Sequence, residues 1–469
     1  MKPDSPAETL LGRSRQRARS PFLILAAAVF HVAVTTAVFM IGKFGLMPGQ
    51  FDQRGLGTFA SDGFSYQSEV IELCGVLRNQ GLIAWATFPT QLHVRLYALP
   101  LTLNGGNSLN ILTIEPLNLI YYLVILVLVF KLSEIVFNYR TGILAAGLVA
   151  LWPSFLLHTT QLLRDPLLMT VVLILMLTLT LIIKRDSEWY YGVILGIAGT
   201  AAMMIIRIVR LPMWPLLWAI VGLAVLFLIV RLVSQRRFPV GNVVFAIMMV
   251  AALIITPRLQ NAFQNQMTVK KQGVVVPRKL SEGVEQEIAN RRYGFELQYD
   301  PSGNPIPSVA GSDIDHGIHF NSMADIIRYV PRAVVVGFLA PFPSMWFDDG
   351  KQVGAGGRRL SGFETLITYI IECLALFGMW RQRKNLAAWF LFLVVSMGAV
   401  AVGLVVSNIG TLYRVRYPFW VMLIILSAAA VDSLLVRKPV PGSTLSLVLQ
   451  HTPESFPVDE VSLIPPDWN

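Results

Sequence analysis

Apolar stretches of about 20 residues recur along the sequence, and each is long enough to cross the hydrocarbon core of a bilayer as a helix. The first stretch spans residues 21–44 and follows a basic group at 13–19. With 54% hydrophobic and 14% charged residues, the chain exceeds the apolar content of an ordinary water-soluble domain. The sequence therefore predicts an all-α polytopic membrane protein.

The apolar stretches predict about ten transmembrane helices. The expected spans are 21–44, 116–136, 142–157, 166–183, 190–206, 211–230, 240–256, 363–380, 386–406 and 417–435. Basic groups such as Lys184 with Arg185, Arg236 with Arg237, and residues 381–384 lie at alternate ends of these spans. The positive-inside rule places these groups and both termini in the cytoplasm. The net charge of +10 thus indicates orientation, and nucleic acid is not an expected partner.

The spans divide the chain into five parts. These are a basic cytoplasmic N-terminus (1–20), a membrane core (21–256) with a first loop at 45–115, a polar segment (257–362), C-terminal helices (363–436) and a cytoplasmic tail (437–469). The first loop and the polar segment are expected outside. The polar segment has turn residues at 301–305 and is long enough for a small ordered subdomain. Within it, residues 326–346 are apolar but interrupted by Arg and Pro, which predicts an interfacial or re-entrant element.

The first loop carries the residues that most suggest chemistry. Asp62 precedes a helix expected over 66–80, which also contains Glu69. A carboxylate beside a bilayer is costly to keep charged, so Asp62 is a candidate catalytic base. The alternative is that Asp62 or Ser65 only caps this helix, which Gly81 would end.

A second carboxylate is expected at the same membrane surface. Pro166 suits the first turn of the fourth span, which places Asp165 at the N-terminus of that helix. Several arginines are expected at this surface too: Arg164, Arg207, Arg210, Arg414 and Arg416. Guanidinium groups bind phosphate bidentately and stay charged, so these arginines, with Tyr66 and Glu69, are candidate binding residues for a phosphate-bearing substrate. The alternative for the arginines is snorkelling to lipid headgroups.

Three short motifs accompany the acidic first loop. They are Phe137-Asn-Tyr-Arg140, Trp152-Pro-Ser154 and Leu162-Leu-Arg-Asp-Pro166. In these features the chain resembles the GT-C superfamily of membrane glycosyltransferases, nearest to the protein mannosyltransferase and aminoarabinose transferase branch, over roughly residues 20–185. The resemblance implies a GT-C-like fold, with Asp62 as the first-loop acid and Asp165 as the acid of the second outer loop. The family often has paired acids in the first loop, whereas Gly63 follows Asp62 here.

The resemblance implies an integral membrane glycosyltransferase of the cell envelope. Its expected partners are a polyprenyl-phosphate-linked sugar donor, a lipid or glycan acceptor, and membrane lipids. The expected location is the bacterial inner membrane, with the active face extracytoplasmic. One alternative is a polysaccharide polymerase or ligase, which uses the same carrier but joins whole repeat units, and which a much larger outer groove and Arg-dominated catalysis would favour. Residues 408–416 also resemble a motif of bacterial polysaccharide-assembly membrane proteins. The other is a lipid-linked sugar transporter or flippase, for which repeated halves with matching interrupted spans are expected and none is evident in the sequence.

No metal-binding residue is predicted. Two cysteines cannot form a disulfide framework or a thiolate metal site. Residues 312–319 have Asp and His at a metal-like spacing but belong to a solvated loop. The sequence does not identify a cofactor, and a divalent metal is one candidate. His31 in the first span is expected to be packed or pore-facing, and Glu364 is expected to line the cavity.

The orientation can be tested by labelling. A cysteine introduced at Ser302 is expected to react with a membrane-impermeant maleimide in intact cells, because the polar segment is predicted outside. A cysteine at Gln382, within the basic group 381–384, is expected to react only after permeabilisation. The opposite pattern would overturn the orientation.

Overall fold

The computed structural model describes residues 6–106, 108–267, 284–299, 305–307, 313–347 and 354–435. The helices are α1 (Pro6–Lys43), α2 (Asp62–Thr87), α3 (Leu92–Leu103), α4 (Ile111–Val136), α5 (Tyr139–Ala150), α6 (Pro153–Thr159), α7 (Asp165–Lys184), α8 (Trp189–Val209), α9 (Trp214–Gln235), α10 (Val240–Met267), α11 (Val284–Glu296), α12 (Met323–Leu339), α13 (Gly354–Arg381), α14 (Leu386–Val405), α15 (Ile409–Val415) and α16 (Tyr417–Leu435). Two short strands, β1 (Leu297–Tyr299) and β2 (Pro305–Pro307), pair antiparallel. The helical class is confirmed. Residues 300–304, with Ser302, and the tail at 437–469 lie outside the described residues.

Within the described ranges, nine helices are long and apolar enough to cross a membrane. The third expected span, 142–157, is not one continuous helix: α5 and α6 meet at an angle of 68°. Pro153 is the cause, because proline disfavours the helical conformation of the residue before it, and Trp152 is accordingly extended. If the bent pair is one broken span, the number rises to ten. This architecture is consistent with a multi-pass membrane protein.

The helix of the first loop is longer than predicted. It begins at Asp62 rather than Tyr66 and continues to Thr87 across a break at Gly81, where φ is 84°. An L-side chain rarely adopts this conformation, so the chain changes direction at a glycine, near the predicted end of the helix. The residue before the helix, Ser61, makes no side-chain capping bond. Asp62 and Ser65 both lie inside the helix, so neither is its N-cap residue.

Two helices form the centre of the bundle. In α7, 83% of the most apolar stretch is buried, and in α16 the share is 78%, whereas in α1 it is 17%. The central helix α7 packs against α4, α8, α9 and α14, and α16 packs against α5, α13 and α14. Both central helices begin at the same end of the bundle. Asp165 lies in the first turn of α7, and it is approached by Arg414, which shortly precedes Arg416 and the start of α16. This end, called the site end below, carries the candidate site.

The segment predicted to be interfacial or re-entrant contains α12, which runs along α14. Gly337 faces Ala399 and Gly403 faces Ala333 so closely that a methyl group on either glycine would lie 2.1 Å from a backbone carbonyl oxygen. The order of these contacts makes the two helices antiparallel. The small residues therefore fix the depth of α12 against α14.

Arg292 and Asp315 hold the polar segment to these helices. The buried Arg292 guanidinium donates to the carbonyl oxygens of Ile318, Leu404 and Asp315. The Asp315 carboxylate accepts two hydrogen bonds from Arg332, at 2.8 and 3.0 Å, and one from Tyr329. Hydrogen bonding from Arg332 lowers the pKa of Asp315 below its usual value. The carboxylate predicted at a metal-like spacing thus has arginine and tyrosine partners.

Candidate functional site

Two carboxylates and two guanidinium groups meet at the site end of the bundle. Oδ2 of Asp62 lies 3.0 Å from Nη1 of Arg414, and Oδ2 of Asp165 lies 3.9 Å from the same nitrogen. On its other side, Asp165 Oδ1 is 3.5 Å from Nη1 of Arg210. These four residues are called the acid–arginine cluster below. The structure thus brings Asp62 and Asp165 together, with Arg414 between them.

Local helix structure explains why each charge is where it is. Asp62 and Asp165 lie in the first turns of α2 and α7, where the helix dipole favours negative charge. Arg210 directly follows the last residue of α8, and Arg414 lies in the last turn of α15, where the dipole favours positive charge. Four helix ends therefore come together at the cluster, and each carries the charge that its helix dipole favours.

The cluster is buried on one side and accessible on the other. The side chains of Asp165, Arg210 and Arg414 are 9%, 10% and 14% exposed, whereas that of Asp62 is 34% exposed. Asp62 is therefore the most exposed charged group of the cluster, and the arginines lie deeper.

Both arginines keep their charge in this setting. Burial lowers the pKa of the Arg210 guanidinium to about 10 against the opposing effect of Asp165. Burial also acts to lower the pKa of Arg414, but the carboxylates of Asp165 and Asp62 outweigh it and raise that pKa. Arg164 interacts electrostatically with Asp165 and Arg210. With Arg164, the positive charges outnumber the two carboxylates, so the site favours an anion.

An aromatic pair borders the cluster. Tyr66 packs edge-on against His93, with ring centroids 4.4 Å apart, and both residues are buried. Burial, followed by the charge of Arg164, lowers the pKa of His93 to about 3, so the imidazole is neutral. Burial also raises the pKa of Tyr66. The pair thus forms an uncharged wall beside the charged groups. No motif or residue spacing in the sequence marked His93.

Three other residues predicted to bind substrate make their described contacts elsewhere. Glu69 accepts a hydrogen bond of 2.6 Å from Thr90, within the first loop. The guanidinium of Arg207 lies 4.7 Å from the centre of the Trp214 ring. Arg416 donates to the carbonyl oxygens of Phe338 and Ala340, at the C-terminus of α12.

The expectation that Glu364 lines the cavity is wrong, because its side chain is a buried support for the site. Only 1% of Glu364 is exposed. Its carboxylate accepts a hydrogen bond of 2.7 Å from the backbone N–H of Ser154, in the first turn of α6, and another from the hydroxyl of Tyr413. A carboxylate at a helix N-terminus satisfies a backbone donor that the helix itself cannot. The sequence missed this role because Ser154 and Glu364 are far apart in the chain.

His31 is packed, which agrees with one of the two expectations for it. Its Nδ1 lies 2.7 Å from Oε1 of Glu115, and its Nε2 lies 3.0 Å from the hydroxyl oxygen of Thr159. The second carboxylate oxygen of Glu115 accepts a hydrogen bond from Thr35. This network ties α1 and α4 to α6.

Metal ligands are not grouped in the part of the chain that the structure describes: no three His, Cys, Asp or Glu side chains there are arranged to hold an ion. In the acid–arginine cluster the carboxylates face guanidinium groups instead.

Comparisons with protein-family models, with curated proteins and with solved structures gave no match to this chain.

The burial of the two acids predicts different effects on stability. Asp165→Asn is expected to lower the free energy of unfolding by roughly 3 kcal/mol, because Arg210 loses its described carboxylate partner in a buried setting. Asp62→Asn is expected to cost at most about 1 kcal/mol, because its side chain is more exposed and Arg414 keeps Asp165. Thermal unfolding of the two purified variants in the same detergent measures the order. Equal losses, or a larger loss for Asp62→Asn, would contradict the burial argument.

Proposed function

We propose that this chain is a membrane glycosyltransferase that moves a sugar from a polyprenyl-phosphate carrier to a hydroxyl group of a lipid or glycan acceptor. The observation that carries the proposal is the accessible Asp62 carboxylate held 3.0 Å from Arg414, in a site with excess positive charge. Such a site offers a proton acceptor and phosphate-binding groups side by side.

The proposed reaction uses the cluster in two ways. The oxygen of the acceptor hydroxyl forms a bond to the anomeric carbon of the sugar, and its proton passes to Asp62. The bond between that carbon and the phosphate oxygen breaks, and the electron pair leaves with the polyprenyl phosphate. Arg210 and Arg414 stabilise the negative charge that develops on the phosphate, because preorganised cations in a buried site need little rearrangement.

A membrane-bound carrier fits the location of the cluster. Asp165 begins α7, and Arg414 precedes α16, and both of these helices are candidate spans. A phosphate at the cluster would leave its hydrocarbon tail free to lie along the apolar bundle. The distribution of Lys and Arg supports an extracytoplasmic active face. The bacterial inner membrane is the location that the family resemblance implies.

The base role of Asp62 can be tested by substitution. Asp62→Asn keeps the size of the side chain but removes its proton affinity, so we expect the transfer rate to fall on the order of 100- to 10,000-fold. The assay supplies purified protein in detergent with a lipid extract and labelled sugar donor, and mass spectrometry identifies the product. Glu72→Gln, an exposed acid on the same helix, is the matched control.

An Asp62→Asn protein that turns over within a few-fold of the parent would contradict the base role. Asp62 would then be only the partner of Arg414, and Asp165 would become the candidate base. A product that contains repeat units instead of one sugar would favour the polymerase or ligase alternative.

The position of Arg210 predicts a role in binding the donor. Arg210→Ala is expected to raise the KM for the lipid-linked donor by about tenfold, as expected for the loss of a charge-assisted hydrogen bond to phosphate. Arg207→Ala is expected to have the smaller effect, because that guanidinium lies over Trp214. Steady-state kinetics at varied donor concentration measures both. A larger increase in KM for Arg207→Ala would contradict the proposed contact between the donor phosphate and Arg210.

A further inference from the structure

His158 lies on α6, beside the acid–arginine cluster. Its Nδ1 is 2.6 Å from the carbonyl oxygen of Ser154, one turn earlier in the helix. Because a carbonyl oxygen can only accept a hydrogen bond, Nδ1 carries the proton. In the neutral ring, Nε2 then has a free lone pair and is a hydrogen-bond acceptor.

The ring of His158 is fixed by its neighbours. It packs edge-on against Phe59, from the first loop, and against Tyr417, at centroid distances of 5.4 and 5.3 Å. The hydroxyl oxygen of Tyr417 also lies 3.2 Å from Nδ1. Two ring contacts and two polar contacts on the Nδ1 side therefore define the direction of Nε2.

Nε2 is the open position of this ring. Among the described residues, Nε2 has no hydrogen-bond partner. It is not fully buried either, so this nitrogen keeps accessible surface. The imidazole interacts electrostatically with Asp165 and Arg414. An accessible neutral acceptor thus lies next to the groups proposed to bind the carrier phosphate.

We propose that Nε2 of His158 accepts a hydrogen bond from a hydroxyl group of the sugar that is transferred, which makes His158 a specificity-determining residue. The inference rests on the proposed function. The sugar is attached directly to the phosphate, so its hydroxyls lie within a few ångströms of the cluster. The arginines there can only donate, and Asp62 and Asp165 have arginine partners, so the imidazole is an acceptor that a sugar hydroxyl can use.

Protonation would reverse the character of this contact. Imidazolium donates from both nitrogens, so it cannot accept from a hydroxyl, and its charge would add to those of the arginines. The charged and titratable groups around the ring are Asp165 on α7, Arg414 on α15 and Tyr417 on α16. Sugar recognition is therefore expected to weaken when the pH falls far enough to protonate His158.

Two substitutions separate sugar recognition from structure. In His158→Asn, the amide nitrogen can still donate to the Ser154 carbonyl, but no atom replaces Nε2. In His158→Gln, the longer side chain can place its amide oxygen near the Nε2 position. The pair therefore tests the acceptor while controlling for the loss of the ring.

The experiment measures binding of two probes to the full chain in detergent: a polyprenyl monophosphate and the same lipid phosphate carrying glucose. We expect the parent to bind the sugar-bearing probe more tightly than the bare one. His158→Asn is expected to lose about tenfold in affinity for the sugar-bearing probe only, and His158→Gln to recover most of it.

The outcomes distinguish the two proposals. If neither probe binds the parent, the proposed function fails. If the parent binds both probes equally, or if His158→Asn weakens both probes alike, the inference about His158 is overturned while phosphate recognition stands. If the Asn variant does not fold, His158→Gln decides, because a folded Gln variant that binds both probes equally would overturn the role of the Nε2 acceptor.

Discussion

The bend between α5 and α6 is the constraint on which the site depends. A helix broken at 68° loses backbone hydrogen bonds, and an apolar bundle offers no water to replace them. Side chains from distant elements supply the missing partners. Glu364 accepts from the N–H of Ser154, and Asn118 donates to the carbonyl of Gln161. The broken segment is thus held in place by directional bonds, and it leads directly into Asp165.

The same segment also positions the first loop. The side-chain oxygen of Gln161 accepts a hydrogen bond of 2.8 Å from the backbone N–H of Gly57, and its nitrogen donates to the carbonyl of Gly55. These bonds place the start of α2, and with it Asp62, beside the N-terminus of α7. The meeting of the two acids therefore follows from polar contacts of the bent segment, and their mutual repulsion is offset by Arg414 between them.

The arginines near the helix ends fall into two groups, those that face the carboxylates of the cluster and those that make structural contacts. Arg414 and Arg416 are two positions apart, and residues at this spacing point to different sides of a helix. Arg414 faces the carboxylates, whereas Arg416 donates to two carbonyl oxygens at the end of α12. Both arginines donate hydrogen bonds to oxygen atoms, but only Arg414 pairs with a carboxylate that is partly exposed to a ligand. The same logic separates Arg210, which faces Asp165, from Arg207, which lies over Trp214.

The sequence by itself determined the helical class, the positions of the apolar helices, and the set of acids and arginines expected near helix ends, because apolar length, proline and charge act locally. Only the tertiary structure decided that Pro153 bends the third span, and that Asp62, Asp165, Arg210 and Arg414 meet while Glu69 and Arg416 have other described partners. It also decided that Glu364 supports α6 and that His158 has an open nitrogen. The physical reason is that the rotation of each helix about its axis, and the pairing of groups hundreds of residues apart, are set by packing between helices, which no local pattern encodes.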